Sequence, residues 1–416
     1  MLLFNILSPE NYYIILFYLG FIILVATVFP RFLSKYLITA PIVYLILALI
    51  VFSLFPDSPL PHLASDPYLG MRLTEIGVII SLTSAGLKLK RPFAWATWKY
   101  AARLLLFTMP VTIALIALFG WAMLGFAPAT ALLIGAVIAP TDPVLASDTQ
   151  TTPPHKDDTS SAKLALTTEA GLNDGLAFPF TNMAIAMALL GISAENWFVD
   201  WLLFDFLYKI VVGTIIGLGS GWLLAKIIFL APKPTTHTSA ISVGLLAISL
   251  TLFPYGLAEM FKSYGFIAVF IAACTFRYQE TTHNYLVVLH DFSEEMERVL
   301  IAVLFTMAGM YASHYFIDDF QFYMIPAALV ILFVIRPLSG YAALLGTKLT
   351  KKKRLIIAFF GIRGIGSVYY LLYAFYHADF DKANEAFALV ALVIFMSVII
   401  HGLSARPIVT KYLPND

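Results

Sequence analysis

The sequence is poor in charged residues and nearly without cysteine. Only 12% of its 416 residues are Asp, Glu, Lys or Arg. Soluble domains have about 25%, so a soluble globular protein is excluded. The single cysteine, Cys274, excludes an internal disulfide framework. With 26 Lys and Arg against 25 Asp and Glu, the chain lacks the positive excess that indicates a nucleic-acid partner.

A basic segment is also missing near the N-terminus. The first basic residue is Arg31, so the charged n-region of a secretory signal peptide is absent. We therefore expect the first apolar run, Tyr12 to Pro30, to remain in the protein as a membrane helix. Only a few residues follow the last apolar run, so we expect one integral membrane domain over 1–416 and no soluble regulatory domain.

Long apolar segments fill most of the chain, which is 60% hydrophobic. A membrane-spanning helix needs about 20 such residues. The sequence therefore predicts an all-α membrane protein with about 13 transmembrane helices. The thirteen segments are 11–30, 36–56, 68–89, 98–126, 128–148, 161–192, 200–229, 238–256, 257–276, 284–313, 320–346, 353–377 and 383–410. The eighth and ninth segments are separated only by Pro254-Tyr255-Gly256.

Basic residues are concentrated in every second loop between the apolar segments. Those in or beside the loops that follow odd-numbered segments are Arg31, Lys35, Lys88, Lys90, Arg91, Lys99, Arg103, Lys156, Lys163, Lys226, Lys233, Arg277, Lys348, Lys351, Lys352, Lys353, Arg354, Arg406 and Lys411. The other loops have essentially Lys262 and Lys382, with the acidic residues Asp57, Asp66, Glu195, Asp200, Asp318, Asp319, Asp379, Asp381 and Glu385. Because cytoplasmic loops are enriched in Lys and Arg, we expect an outside N-terminus, a cytoplasmic C-terminus and a bacterial inner membrane.

Two of the apolar segments are interrupted near their middle. In the fifth segment Pro140 and Pro143 bracket Asp142, and each proline should break the helix. The twelfth segment contains Gly361-Ile362-Arg363-Gly364-Ile365-Gly366-Ser367. Paired interruptions in two halves of a membrane protein indicate a transporter with a midplane site. The alternative for the fifth segment is a simple proline kink with Asp142 reaching for the membrane surface.

Each interrupted segment is the second of three, which suggests an internal symmetry. We expect two inverted repeats, approximately 11–192 and 238–410, joined by a connector helix at 200–229. The interrupted segments would then cross with their half-helix ends facing each other. Asp142 is placed to offset the two positive N-terminal ends, and Arg363 to offset the two negative C-terminal ends. The freed carbonyl of Thr141 can act as an oxygen ligand for a small cation.

The sixth segment contains the charged motif Glu169-Ala-Gly-Leu-Asn173-Asp174. At 100° per residue Glu169 and Asn173 share a helix face, whereas Asp174 lies about 140° from Glu169. One carboxylate can therefore serve a ligand while the other has a structural partner. Arg336 in the eleventh segment is the natural cation for Glu169, since a buried pair compensates its two charges. The alternatives are a polar helix–helix contact for the motif and a snorkelling Arg336.

Together these motifs resemble those of monovalent cation–proton antiporters of the NhaP/NHE type, the sodium/proton exchanger family. The resemblance rests on Thr141-Asp142-Pro143, Glu169 to Gly175, Arg336-Pro337, Gly361 to Gly364 and Ser397 to Gly402, and it extends over essentially the whole chain. It implies an NhaA-like antiporter fold with crossed, broken helices and a homodimer without cofactors. It implies that Asp174 binds cation and proton in turn, that Asn173 bonds the unwound fifth helix, and that Glu169 pairs with Arg336.

For the transported cation we expect Asp174 and Thr141 as ligands, with Asp142, Glu169 and Thr168 also at the cation- and proton-binding site. Many relatives have Ser after the motif glutamate, whereas this chain has Ala170, so Thr168 or water would replace that ligand. Asn173, Arg336 and Arg363 are expected as supporting residues. Na⁺ is the expected cation, with Li⁺ or K⁺ as alternatives. The Asn173-Asp174 pair resembles the electroneutral branch, with one cation for one proton.

Other functions and weaker signals remain to be weighed. An intramembrane enzyme lacks support, because neither His-Glu-x-x-His nor Gly-x-Ser-x-Gly occurs. A channel would need a continuous lined pore, so the main alternative is a sodium-coupled symporter of a small organic anion. Glu75 and the glutamates near the start of the tenth segment could line a funnel. For Glu297 and Arg298 we expect instead a mutual contact in a solvated helix end.

Overall fold

The computed structural model describes residues 9–33, 38–55, 67–89, 93–143, 145, 160–230, 239–279, 285–314 and 316–413. These residues form helices and connecting turns, with no strand among them. Several residues used for the topology prediction lie outside the described part, namely Lys35, Asp57, Asp66, Lys90, Arg91, Lys156 and Lys233.

The first half of the chain forms helices that match the predicted segments. They are α1 (Pro9–Leu33), α2 (Ala40–Leu54), α3 (Pro67–Lys88), α4 (Trp95–Leu124), α5 (Pro128–Ile138) and α6 (Ser161–Leu190). Helix α4 contains a π-helical turn, Leu104–Thr108. It ends at Gly125, whose φ of 72° closes the helix in the left-handed conformation that glycine adopts without a steric penalty.

The second half continues in the same way, with α12 and α13 as the two pieces of the twelfth predicted segment. The helices are α7 (Lys209–Leu230, after a π-helical run Trp201–Tyr208), α8 (Ser239–Met260), α9 (Gly265–Gln279), α10 (Tyr285–His314), α11 (Met324–Ala343), α12 (Lys351–Phe359), α13 (Ile365–His377) and α14 (Ala383–Tyr412). A short helical turn, Phe316–Asp319, precedes α11.

The all-helical fold predicted from the apolar segments is confirmed. Within the described residues, six helices are long and apolar enough by themselves to cross a membrane. They include α4, α10, α11 and α14. Others, such as α5 and α9, are shorter apolar helices. The count of thirteen crossings therefore stays a prediction.

The boundary predicted between the eighth and ninth segments is wrong. Helix α8 continues through Pro254 to Met260, and the turn between the helices lies at Phe261–Tyr264 instead. Lys262 forms this turn with a φ of 51°. Proline is tolerated inside membrane helices because neighbouring groups can satisfy the freed carbonyl, so Pro254 is not a reliable helix end.

Helix α9 lies at the centre of the packing and fixes the position of α6. It packs along α7, α3 and α8 as well as against α6. A Cβ on Gly171 would overlap the Phe270 ring of α9, and one on Gly175 would overlap the Ile267 side chain. Small residues four apart let two membrane helices approach closely. Helix α6 therefore lies close to α9 at Gly171 and at Gly175, the positions before and after Asn173 and Asp174.

Candidate functional site

The two interrupted segments cross at Asp142. The backbone N–H of Asp142 donates to the carbonyl of Ile362 at 2.8 Å. Its carboxylate accepts from the N–H of Ile365 at 2.9 Å and from the N–H of Leu145 at 3.1 Å. Ile365 is the first residue of α13, so the carboxylate lies at the positive N-terminal end of that half-helix. Asp142 therefore lies at one of the two positive helix ends that it was expected to offset; residues 146–148, at the end of the fifth predicted segment, lie outside the described residues.

Arg363 lies in the other unwound stretch, between α12 and α13, and is fully buried at 0% exposure. Its Nη1 donates to the carbonyl of Gly361 at 2.7 Å, just beyond the C-terminal end of α12. Its backbone N–H donates to Ser397 Oγ at 2.9 Å, and that hydroxyl contacts His401 Nδ1 at 3.0 Å. The guanidinium therefore lies at a negative helix end, and α14 fixes its backbone.

Glu169 and Arg336 form the expected buried ion pair. Arg336 Nη2 donates to Glu169 Oε1 at 2.7 Å, and both residues are 2% exposed. The contact joins α6 to α11, so Arg336 does not snorkel to a surface. Gly361 lies beside it, because a Cβ there would approach both Arg336 Nε and Arg363 Nη1 at 2.8 Å. The absence of a side chain at Gly361 thus leaves room for both guanidinium groups.

Asn173 links the helix α6 to the unwound fifth segment, as the resemblance implied. Its Nδ2 donates to Thr141 Oγ1 at 2.7 Å, and both side chains are buried. A buried amide donor without such a partner would cost about 1–3 kcal/mol. The bond therefore fixes Thr141, and with it the irregular backbone that follows α5, relative to the neighbouring Asp174.

Asp174 is as buried as Glu169, with 2% exposure, but has no cationic partner among the described residues. Its carboxylate approaches α13, where a Cβ on Gly366 would lie 3.0 Å from Asp174 Oδ1. The carboxylate of Asp142 also acts on it electrostatically. An isolated ionised carboxylate is very unfavourable in such surroundings, so this position favours occupation by a proton or a cation.

Thr168, which was expected to replace the missing serine hydroxyl, already uses its own hydroxyl proton within α6. Its Oγ1 donates to the carbonyl of Leu164 at 2.8 Å, one turn earlier on the same helix. The hydroxyl oxygen keeps lone pairs that could still accept. Ala170 is buried beside it at 2% exposure.

Tyr370 is a site residue that the motifs did not identify. Its hydroxyl donates to the main-chain carbonyl of Asp174 at 2.6 Å. Tyrosine is common in membrane segments, so its type alone carried no signal. The position four residues after Gly366 in an apolar helix was the only cue available, since residues at that spacing share a face.

The mutual contact predicted for Glu297 and Arg298 is wrong, and only Arg298 lies at a solvated position. Arg298 pairs with Glu295 at 2.9 Å, whereas Glu297 is buried at 7% exposure. Glu297 faces Ser81 and Lys88 of α3. Glu294, three residues earlier on α10, contacts Lys88 Nζ at 3.5 Å. Residues three apart share a helix face, so Glu297 lies on the face of α10 that packs against α3.

Glu75 belongs to a second polar group on α3, at the opposite end of that helix. Its carboxylate accepts from Arg72 at 2.7 Å and from the hydroxyl of Tyr255 on α8. The carboxylate is therefore already bonded from two sides and does not line an open funnel in this structure.

Comparisons with known proteins agree with this geometry. A family model described as "Sodium/hydrogen exchanger, transmembrane" matches residues 15–411. The K(+)/H(+) antiporter NhaP of Alkalimonas amylolytica is 24% identical over 347 residues, which are 83% of this chain and 58% of that protein. The Na(+)/H(+) antiporter NhaH of Halobacillus aidingensis is 26% identical over 257 residues, 58% of this chain and 59% of that protein. The matches thus span less than two thirds of these relatives.

A solved structure has the same fold. The sodium proton antiporter MjNhaP1 from Methanocaldococcus jannaschii at pH 8 superposes with a TM-score of 0.73 at 20% identity. The match covers 96% of this chain and 98% of that one. The crossed, broken segments therefore belong to an antiporter fold.

Proposed function

Because the chain belongs to the transmembrane sodium/hydrogen exchanger family, we propose that it exchanges a monovalent cation for a proton across a membrane. The family is one of integral membrane transporters. The observation that carries the proposal is Asp174, buried without a cationic partner among the described residues and beside two unwound helices. The named relatives are antiporters, which gives no support to the symporter alternative.

A single carboxylate is sufficient for exchange in this proposal. Asp174 binds either a proton or a cation, because an empty ionised carboxylate is strongly disfavoured where water is excluded. Each ion therefore displaces the other, and the loaded site reorients between the two sides of the membrane. Coupling requires nothing more than this mutual exclusion and an empty form too unfavourable to cross.

The proposed cation ligands are the Asp174 carboxylate and an oxygen of Thr141, the residue that Asn173 holds in place. Hard cations prefer such oxygen ligands. Asp142, Thr168 and Glu169 complete the proposed cation- and proton-binding site. Glu169 Oε2 is buried and has no hydrogen-bond partner among the described residues, so it can accept from a water that takes the place of the missing serine.

Asn173, Arg336 and Arg363 have supporting roles in the proposal. Asn173 orients the unwound segment, Arg336 keeps Glu169 charged, and Arg363 offsets the helix ends. With Glu169 fixed in its ion pair, one cation replaces one proton and the exchange is electroneutral. Na⁺ is the proposed cation and Li⁺ or K⁺ are the alternatives; relatives are named for Na⁺ and for K⁺.

The proposed arrangement in the membrane follows the charge bias of the loops. The N-terminus lies outside and the C-terminus in the cytoplasm of a bacterial inner membrane. The repeats 11–192 and 238–410 are inverted halves of one transporter domain, the helix at 200–229 connects them, and two copies form a homodimer. Such exchange would serve pH and cation homeostasis.

The test is reconstitution into liposomes with a trapped pH-sensitive dye and an imposed proton gradient. Addition of Na⁺, Li⁺ or K⁺ should dissipate the gradient, with a half-maximal concentration that rises as the pH falls. Small organic anions that do not cross the bilayer as neutral acids, such as methanesulfonate, added with a cation already saturating, should have no further effect. A gradient that responds to none of the three cations, or only when an organic anion is present, overturns the proposal.

A further inference from the structure

Helix α13 approaches Asp174 at two positions on one face. A Cβ on Gly366 would lie 3.0 Å from the Asp174 carboxylate, so the helix leaves space there. Four residues later the Tyr370 hydroxyl donates to the Asp174 main-chain carbonyl at 2.6 Å. Residues four apart lie one above the other on a helix. The same face of α13 therefore contacts both the carboxylate and the backbone of the proposed exchange residue.

The turn of α6 that follows Asp174 depends on such outside contacts. Pro179 has no N–H, so it cannot donate to the carbonyl of Gly175 four residues earlier. Trp201 Nε1 donates to the Pro179 carbonyl at 2.6 Å, and Tyr370 donates to that of Asp174. A helix interrupted by proline bends at that point unless neighbouring groups hold it. Side-chain donors from two other helical segments therefore bond the carbonyls at the two ends of this turn, those of Asp174 and Pro179.

Tyr370 is itself fixed by its surroundings. It is fully buried, and its ring packs edge-to-face on Phe178 of α6, with centroids 5.2 Å apart at 88°. Phe178 in turn stacks on Tyr264 at 5.0 Å. Edge-to-face aromatic pairs of this kind fix ring orientation. The hydroxyl thus has one well-defined position, which is aimed at Asp174.

We propose that Tyr370 is a positioning residue that sets the cation affinity of Asp174. This inference rests on the proposed exchange function. A proton needs one carboxylate oxygen, whereas an alkali cation needs several oxygens at matched distances. Movement of the Asp174 turn therefore weakens cation binding while leaving proton binding nearly unchanged. The Tyr370 hydrogen bond therefore strengthens cation binding relative to proton binding at Asp174.

The test is Tyr370→Phe, compared with Tyr369→Phe in the same liposome assay. Tyr369 is the matched control, because it is buried in the same aromatic group but its hydroxyl has no hydrogen bond to a described residue. Loss of one hydrogen bond should raise the KM for the cation about two- to tenfold. The maximal rate of Tyr370→Phe and both constants of Tyr369→Phe should stay at the wild-type values.

The pH dependence separates positioning from a change in proton binding. If protons and cations compete for one site, the apparent KM is the intrinsic cation constant multiplied by a factor that depends only on proton affinity. The ratio of the KM of Tyr370→Phe to that of the wild type should then be the same at every pH. A ratio that changes with pH, a wild-type KM, or an equal shift in Tyr369→Phe overturns the inference.

A second variant covers the case in which Tyr370→Phe does not fold. In Gly366→Ala the added methyl group would displace the Asp174 carboxylate instead of its backbone. Its KM for the cation should exceed that of the wild type by a ratio that is the same at every pH. A wild-type KM in this variant also overturns the inference. A wild-type protein that exchanges no cation at all contradicts the proposed function, whereas an active wild type with unaltered variants contradicts only the role of Tyr370.

Discussion

Glu169 and Asp174 lie within two turns of one helix and are equally buried, yet their surroundings are opposite. Glu169 accepts from Arg336 at 2.7 Å. Asp174 meets the glycine face of α13 and the field of another carboxylate, Asp142. A buried charge must be compensated inside the protein or by something that binds. The first carboxylate is compensated by Arg336, which joins α6 to α11; in the proposed function, the second is left for an ion.

The largest effect should follow removal of the exchangeable charge. In Asp174→Asn the side chain keeps its size but loses the negative charge that a proton or a cation neutralises in turn, so cation-dependent proton flux should fall to the level of empty liposomes. Thermal stability in detergent should not fall, because no ion pair is broken. Asp200→Asn is the control for the same chemical change at an exposed position. Retained flux in Asp174→Asn contradicts the one-carboxylate mechanism.

Breaking the Glu169–Arg336 ion pair should mainly lower the stability of the protein rather than its transport activity. Glu169→Gln or Arg336→Ala leaves an uncompensated buried charge, and each should lower the free energy of unfolding by about 3–5 kcal/mol. The double variant should lose less than the sum of the two. Denaturation in mixed micelles measures all four proteins. Losses that simply add would mean that the two side chains do not interact in the membrane.

Thr141→Val tests the link between α6 and the unwound segment, with a smaller expected effect. Valine removes the acceptor for Asn173 Nδ2, which should cost about 1–3 kcal/mol of stability. The KM for the cation should rise as well, because a proposed ligand is displaced. Thr112→Val is the control: it removes another buried bond, to Ser339 at 2.7 Å between α4 and α11. That control should lose stability without a change in KM.

The two carboxylates also show how far the sequence alone could be interpreted. Charges are so rare inside apolar segments that Glu169 and Arg336 had few other partners, and the prolines and glycines around Asp142 and Arg363 marked both helix breaks. Composition and spacing carry that information directly.

Other features depend on tertiary packing, which no local pattern reports. Pro254 and Gly256 predict a helix end, but α8 accommodates Pro254 and continues to Met260. The cluster of charges around Glu297 predicts a solvated helix end, but Glu297 is buried and faces α3. Tyr370 was not identified at all, because its role depends on which carbonyl of another helix lies within reach of its hydroxyl.

The smallest expected effect, a null one, tests whether Asp174 is the only titrating carboxylate. If Glu169 stays charged in its ion pair, the core carries the same net charge with a proton bound as with a monovalent cation. Membrane potential acts on net charge, at about 2.3 kcal/mol per charge for each 100 mV. The rate and end-point of exchange in the wild type should therefore not respond to an imposed potential.

Asn173→Asp sharpens this test, because it adds a second carboxylate beside Asp174 and opens the way to two protons per cation. Potentials should be set in potassium-free liposomes with a gradient of a permeant anion such as thiocyanate, because potassium could itself be a substrate. Sodium–proton exchange by the wild type should then be the same at either sign of potential, whereas any activity of Asn173→Asp should depend on that sign. A wild-type exchange that reverses with the potential would mean that Asp142 or Glu169 titrates too, and the distinction between a structural and an exchanging carboxylate would fail.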